Sequence, residues 1–141
     1  MDLRKLTDDI SVAPQISRDE LSQAAKLGFK TVICNRPDGE DVSQPVAEDM
    51  ADTAGDSGMT FVHQPVISGN VTLDDVEQFG QLLQDMPKPI LAYCRSGTRC
   101  STLWALSEAT SRDIDEIIRI CADAGYDYRG LRSTLEALAK G

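Results

Sequence analysis

Pro89-Ile90-Leu91-Ala92-Tyr93-Cys94-Arg95-Ser96-Gly97-Thr98-Arg99-Cys100-Ser101 is an apolar run, a cysteine, a glycine-bearing loop with two arginines, and the opening of a helix that Leu103-Trp104-Ala105-Leu106 continues. Strand, loop and helix N-terminus together make an anion cradle, because the free N–H groups point inward and the helix dipole favours negative charge. The same dipole and the two arginines favour S⁻ over SH at Cys94. A thiolate at the mouth of an anion cradle is a covalent nucleophile for an anionic substrate.

Upstream, Pro87-Lys88-Pro89 separates this strand from a helix with the stripe Val76, Phe79 and Leu83, capped by Thr72 with Asp75. Before that helix, Met59–Gln64 reads as a strand and Pro65-Val66-Ile67-Ser68-Gly69-Asn70-Val71 as a loop. Ser43 is the expected cap of a helix bearing Val46, Ala47, Met50, Ala51 and Ala54, with Pro45 near its first position and Gly58 ending it. Phe29–Cys34 reads as a buried strand followed by the loop Asn35-Arg36-Pro37-Asp38-Gly39-Glu40. Ser17 and Glu20 form a capping box for a helix with Leu21, Ala24 and Ala25, stopped at Gly28. Asp9–Ala13 reads as a first short strand, and residues 1–8 as a loose start. Downstream of the cysteine loop a helix runs to about Ala109. Asp113 with Glu116 then opens a helix with Ile114, Ile117, Ile118 and Cys121 on one face, and Leu131, Leu135 and Leu138 mark a last one.

Strands alternating with helices predict an α/β domain with a mostly parallel central sheet flanked by helices. The loops after Cys34, Gln64 and Tyr93 are expected at one edge of that sheet, where open α/β sheets place their sites. With 141 residues the chain fits one domain, residues 1–141, with a core of about 8–138.

Fourteen basic and 23 acidic residues give a net charge of −9, without any Lys/Arg cluster. That balance argues against nucleic acid as a partner. No apolar segment has bilayer length and the N-terminus lacks a signal-peptide core, so the expectation is no membrane and a cytoplasmic location. Cys34, Cys94, Cys100 and Cys121 form no C-x-x-C pair, and His63 is the lone histidine. Free thiols are expected, with no metal and no cofactor.

Gly28-Phe29-Lys30-Thr31-Val32-Ile33-Cys34-Asn35-Arg36-Pro37-Asp38-Gly39-Glu40 and Leu91–Arg99 together resemble the phosphatase-like domain of the beta-lactamase hydrolase-like protein family. The resemblance implies a fold of the dual-specificity (tyrosine) phosphatase type over roughly Asp8–Leu138. Phosphatases of that fold carry His-Cys, five residues, then Arg. Here four residues separate Cys94 from Arg99, and Tyr93 stands in the histidine's place. The loop therefore also resembles the persulfide-holding loop of rhodanese sulfurtransferases, whose shorter cradle suits a sulfur atom. The fold's general acid, an aspartate on the loop after the preceding strand, has Ser68 at its expected position. Asp74 and Asp75 fall in a helix's first turn, where capping accounts for them. Asp38 and Glu40 are weaker substitutes for the acid.

Cys94 is thus expected as nucleophile and Arg99 as a bidentate anion ligand, since a cation opening a helix needs an anion partner. Arg95 either recruits substrate or faces solvent. Gly97 supplies a turn, and Ser96 and Thr98 donate hydroxyls to the anion or to the loop. Ser101 is expected to hydrogen-bond the thiolate. Cys100 is a packed small side chain or a resolving thiol. Arg36 reaches the anion or pairs with Asp38 or Glu40, His63 makes a local strand-end bond, and Trp104 is core. The leading functional expectation is a sulfurtransferase that moves sulfane sulfur from thiosulfate or a persulfide to an acceptor thiol. The resemblance adds a link to a metallo-beta-lactamase-like sulfur enzyme. The alternatives are a phosphomonoesterase working through phosphocysteine and a non-catalytic anion-binding module.

Overall fold

In the computed structural model, which describes residues 1–141, five strands form one sheet: β1 (Arg4–Lys5), β2 (Ile10–Ala13), β3 (Thr31–Cys34), β4 (Thr60–His63) and β5 (Ile90–Tyr93). Their order across the sheet is β1-β2-β5-β3-β4. β2, β5, β3 and β4 run parallel, and β1 pairs antiparallel with β2. The mostly parallel α/β architecture expected from the sequence is present. Every residue of β2, β3 and β5 is buried, as strands covered on both faces must be.

Six α-helices cover the sheet: α1 (Arg18–Lys26), α2 (Ala47–Asp56), α3 (Leu73–Asp85), α4 (Thr98–Ser107), α5 (Ile114–Asp123) and α6 (Arg132–Ala139). Alternation along β5 divides its side chains between two cores. Leu91 and Tyr93 join Leu21, Ala24, Met50 and Ala54 on the α1/α2 side. Ile90 and Ala92 join Phe79, Leu103, Trp104, Ile117 and Leu135 under the other four helices. Each large apolar side chain so buried stabilises the fold by about 1.5–3 kcal/mol. No helix is long and apolar enough to cross a membrane.

The boxes at Ser17/Glu20 and Thr72/Asp75 cap α1 and α3 as expected, and Asp113 accepts the Glu116 N–H at the start of α5. Two expectations fail. Ser43 does not cap α2: its N–H and hydroxyl bond Asp41, the N-cap is Val46, and Asp38 reaches across to accept the Ala47 N–H at 2.8 Å. Pro45 explains the late start, because the residue before a proline is pushed out of helical conformation. Nor are residues 1–8 loose, since Arg4 and Lys5 pair with Val12 and Ser11, and Leu6 is buried.

The parallel register brings four loops, rather than three, to the C-terminal edge of the sheet, because the loop after β2 joins those after β3, β4 and β5. Gln15 in that additional loop donates its N–H to the Arg95 carbonyl at 3.2 Å.

Candidate active site

Cys94 leaves the end of β5 fully buried, and the chain turns at once into α4. The turn is made at Gly97, the N-cap of α4, in the left-handed region at φ 87°. Glycine is required there twice over. The backbone conformation penalises any Cβ, and the Tyr126 hydroxyl occupies the space a Cβ would fill. That hydroxyl donates to the Ser96 carbonyl at 3.1 Å, and Tyr128 donates to the Thr98 carbonyl at 3.1 Å. Two phenols from the segment after α5 therefore hold the cysteine loop from behind.

The loop in turn holds the sulfur. The Gly97 N–H donates to Cys94 Sγ at 3.1 Å. The Cys94 thiol is pulled down to about 5, chiefly by a hydrogen bond from the Cys100 thiol, with the backbone N–H groups of Cys100, Arg99 and Gly97 adding to it against the cost of burial. Cys94 is therefore a thiolate at neutral pH. Cys100 is itself fully buried, and burial together with the Cys94 charge pushes its thiol well above the usual range. It keeps its proton and acts as a donor. Ser101, the donor expected from the sequence, faces elsewhere, with its hydroxyl on the Thr98 carbonyl and Tyr128. The other two thiols are buried and raised: Cys34 donates to the Arg36 carbonyl at 3.4 Å, and Cys121 is pushed up to about 12 by burial.

Arg99 is buried behind the loop and its fork is already engaged. Nη1 and Nη2 each donate to a Glu40 carboxylate oxygen at 2.8 Å, and Nη1 also to the Val66 carbonyl at 3.0 Å. Arg36 Nε donates to the same carboxylate at 3.0 Å, while its Nη1 donates to Gln15 at 3.0 Å. The bidentate grip expected between Arg99 and substrate is thus made on Glu40, and of the two roles open to Arg36 the structure gives the pairing with Glu40. Arg99 first, then Arg36, hold the Glu40 carboxyl below its usual range. It stays ionised, which removes it as a proton donor. Asp38 is occupied by the α2 cap and Asp75 by the α3 cap, and His63 Nε2 lies 2.9 Å from the Arg36 carbonyl.

A cleft of about 590 Å³ opens beside the loop, walled by Arg95, Ser96, Thr98 and Arg99 on one side and Ser68, Gly69 and Val71 on the other, with Thr102 below. No carboxylate lines it. Of the residues the sequence nominated, Arg95, Ser96, Thr98 and Arg99 reach this cleft, Gly97 shapes the turn, and Arg36, Cys100 and Ser101 act from beneath. Gln15, Thr102, Tyr126 and Tyr128 were not nominated. Their only sequence signal is two tyrosines spaced by one residue after Gly125, which points to no particular partner.

The sequence model of the family described as "Beta-lactamase hydrolase-like protein, phosphatase-like domain" matches residues 2–111. A Beta-lactamase hydrolase-like protein of Agrobacterium fabrum is 32% identical over 105 residues, 74% of this chain and 24% of the relative. One from Xylella fastidiosa strain Temecula1 is 29% identical over 129 residues, 90% of this chain and 30% of the relative. The chain therefore spans only about a quarter to a third of the curated relatives it matches. The crystal structure of a candidate phosphatase from Neisseria meningitidis is 41% identical, with a TM-score of 0.86 over 98% of this chain and 99% of that one. The fold is also that of Pseudomonas aeruginosa TpbA, solved as a cysteine-to-serine variant in complex with phosphotyrosine, at 16% identity and a TM-score of 0.66 over 99% of this chain and 91% of that one.

Proposed function

The chain belongs to the phosphatase-like domain family of the beta-lactamase hydrolase-like proteins, and from that premise we propose that it is a cysteine-dependent phosphoesterase working through a phosphocysteine. The observation that carries the reading is a Cys94 thiol held near 5 at the focus of inward N–H groups. The phosphatase relatives favour this chemistry over the sulfur transfer that the loop spacing suggested.

Cys94 Sγ attacks phosphorus, the S–P bond forms as the P–O bond to the leaving group breaks, and the alkoxide or phenoxide departs. Loop N–H groups and Arg99 face the charge that develops on the phosphoryl oxygens, the kind of preorganised stabilisation that contributes most to such reactions. Water then cleaves the S–P bond and releases phosphate. A proton donor for the leaving group is typically worth ~10²–10⁴-fold in rate, and the cleft offers none. The substrates are therefore those whose leaving group departs without a proton: aryl phosphates, acyl phosphates and phosphoanhydrides, ahead of alkyl phosphates.

The same two features, four residues between Cys94 and Arg99 and a carboxylate-free cleft, support sulfur transfer as the second reading. There the thiolate attacks the sulfane sulfur of thiosulfate, an S–S bond forms, and sulfite leaves with the electron pair of the broken bond. An acceptor thiol then takes the sulfur from Cys94.

The test offers the wild type and Cys94→Ser an aryl phosphate, an alkyl phosphate, and separately thiosulfate with cyanide. Aryl phosphate turnover that exceeds alkyl turnover, is lost in Cys94→Ser, and leaves one phosphoryl group on quenched protein supports the proposal. Thiocyanate release with one extra sulfur on Cys94 and negligible phosphate release replaces it with sulfur transfer. Inactivity toward both leaves an anion-binding module.

A further inference from the structure

Arg95 and Arg99 are the two cations that wall the cleft beside the cysteine loop, and they differ in what they already hold. The Arg99 fork is engaged by Glu40 and the Val66 carbonyl. The Arg95 side chain is exposed and joins none of the ion pairs of the chain. Its backbone is nevertheless fixed, because the Arg95 carbonyl accepts the Gln15 N–H at 3.2 Å. Ser43 first, then Arg36 and Arg95 more weakly, hold the exposed Asp41 carboxyl below its usual range, but its hydrogen bonds go to the Ser43 N–H and hydroxyl.

The facing wall brings no charge. A turn at residues 67–70, closed by the Asn70 N–H on the Ile67 carbonyl at 3.0 Å with Gly69 at φ 78°, sets Ser68 and Gly69 against the cleft. At about 590 Å³ the cleft exceeds what one phosphoryl group fills. A chain with a net charge of −9 repels anions at long range, so a fork left free in a carboxylate-free cleft is the local feature able to hold a second one.

We propose that Arg95 is a specificity-determining residue that grips a second phosphoryl group on the substrate, so that phosphoanhydrides are preferred over isolated phosphate esters. The inference rests on the phosphoryl chemistry proposed for Cys94 and names its substrate class. An anhydride is singled out because Arg95 is the residue next to Cys94, which places the second phosphate directly beside the one attacked, in the position of the leaving group.

The chemistry then needs no proton donor. Cys94 Sγ attacks the terminal phosphorus, the S–P bond forms, the bridging P–O bond breaks, and the second phosphate leaves with the electron pair of that bond. Arg95 meets the charge that a general acid would otherwise cancel with a proton. Water cleaves the S–P bond, its hydroxyl going to phosphorus and its proton to the phosphate released, and the thiolate returns. One anhydride and one water give two phosphates.

Two measurements on wild type, Arg95→Gln and Arg95→Lys test this. Binding of methylenebisphosphonate, whose bridge cannot be cleaved, is compared by calorimetry with binding of methylphosphonate. Separately, kcat/KM is measured for pyrophosphate and for phenyl phosphate. Wild type is expected to prefer the bisphosphonate. Arg95→Gln is expected to lose about tenfold or more of that preference, as for one charge-assisted hydrogen bond, and to lower the pyrophosphate to phenyl phosphate ratio in parallel. Arg95→Lys, which keeps the charge without the fork, is expected to fall between them. Equal binding of the two phosphonates by wild type, or equal effects of Arg95→Gln on both ligands, overturns the proposal. A chain that turns over neither ester nor anhydride but binds the bisphosphonate through Arg95 fails only the proposed reaction. A chain that cleaves phenyl phosphate without any preference dependent on Arg95 fails only this inference.

Discussion

Glu40 is the residue on which the site's electrostatics turn. Its carboxylate takes three donations from two buried arginines, and hydrogen bonds to a charged group are each worth about 1.5–3 kcal/mol when their geometry holds. Glu40→Gln is therefore expected to cost about 2–3 kcal/mol in urea and to lower turnover by letting Arg99 drift. The pH dependence follows from sign. The Glu40 carboxyl is depressed in the folded state, so its stabilisation is present above the unfolded value of about 4.3 and is lost as pH falls through the folded value. Thermal melts from pH 6 to pH 3 should decline more steeply for wild type than for Glu40→Gln, and parallel curves would show that the clamp contributes nothing. Cys94 has its own signature. With its thiol near 5, alkylation by iodoacetamide should be half-maximal near that pH, against about 8.5 for an ordinary cysteine. An alkylation midpoint at or above 8 would mean the loop does not hold a thiolate. At this scale the loop that joins Cys94 to Arg99 was legible, because it lies within six contiguous residues. The partner of Arg99 was not, because Glu40 is 59 residues away and a carboxylate in a Pro/Gly loop carries no sign of what it will meet.

At the scale of elements, the N-terminus of α4 depends on Gly97. Gly97→Ala forces a side chain into a left-handed conformation, which costs about 1–2 kcal/mol, and drives its Cβ against the Tyr126 hydroxyl. The variant should unfold at lower urea and show a raised alkylation midpoint at Cys94. A variant with unchanged midpoint would mean the loop tolerates the displacement of Tyr126. Helix starts at Ser17, Thr72 and Asp113 were readable because each cap and its N3 partner lie three residues apart. The start of α2 was not: Ser43 has the right chemistry, but Pro45 keeps the chain extended and the capping acid is Asp38, nine residues before the N–H it serves. A cap borrowed from outside the local window leaves no local pattern.

For the whole molecule, the alternation of strand and helix was enough to give the class of fold and the sheet edge at which the loops after β3, β4 and β5 gather. The order of the strands was not readable. β5, the last strand in sequence, lies between β2 and β3 in space, and its run Ile-Leu-Ala-Tyr says only that both faces are covered. That central position makes β5 the joint between the two cores. Leu91→Ala, on the α1/α2 side, should cost about 2–5 kcal/mol, read by the fluorescence of Trp104, the one tryptophan, which is buried in the other core. A loss below 1 kcal/mol would mean that this core can collapse around the missing side chain.

The tyrosines behind the cysteine loop bear on where this unit can be cut. The matched family segment ends at residue 111, a few residues after α4, and includes every residue from Cys94 to Thr102. Tyr126, Tyr128, α5 and α6 lie beyond it. A fragment ending at Ser111 keeps the reactive sequence but loses both phenols that hold the Ser96 and Thr98 carbonyls, and uncovers Leu103 and Trp104, which pack in one cluster with Ile117 and Leu135. Such a fragment is expected to lose the acid-shifted reactivity of Cys94, with an alkylation midpoint back near 8.5. Two hydroxyls downstream of the motif hold the cysteine loop, so a boundary drawn from sequence likeness alone would sever Cys94 from that support.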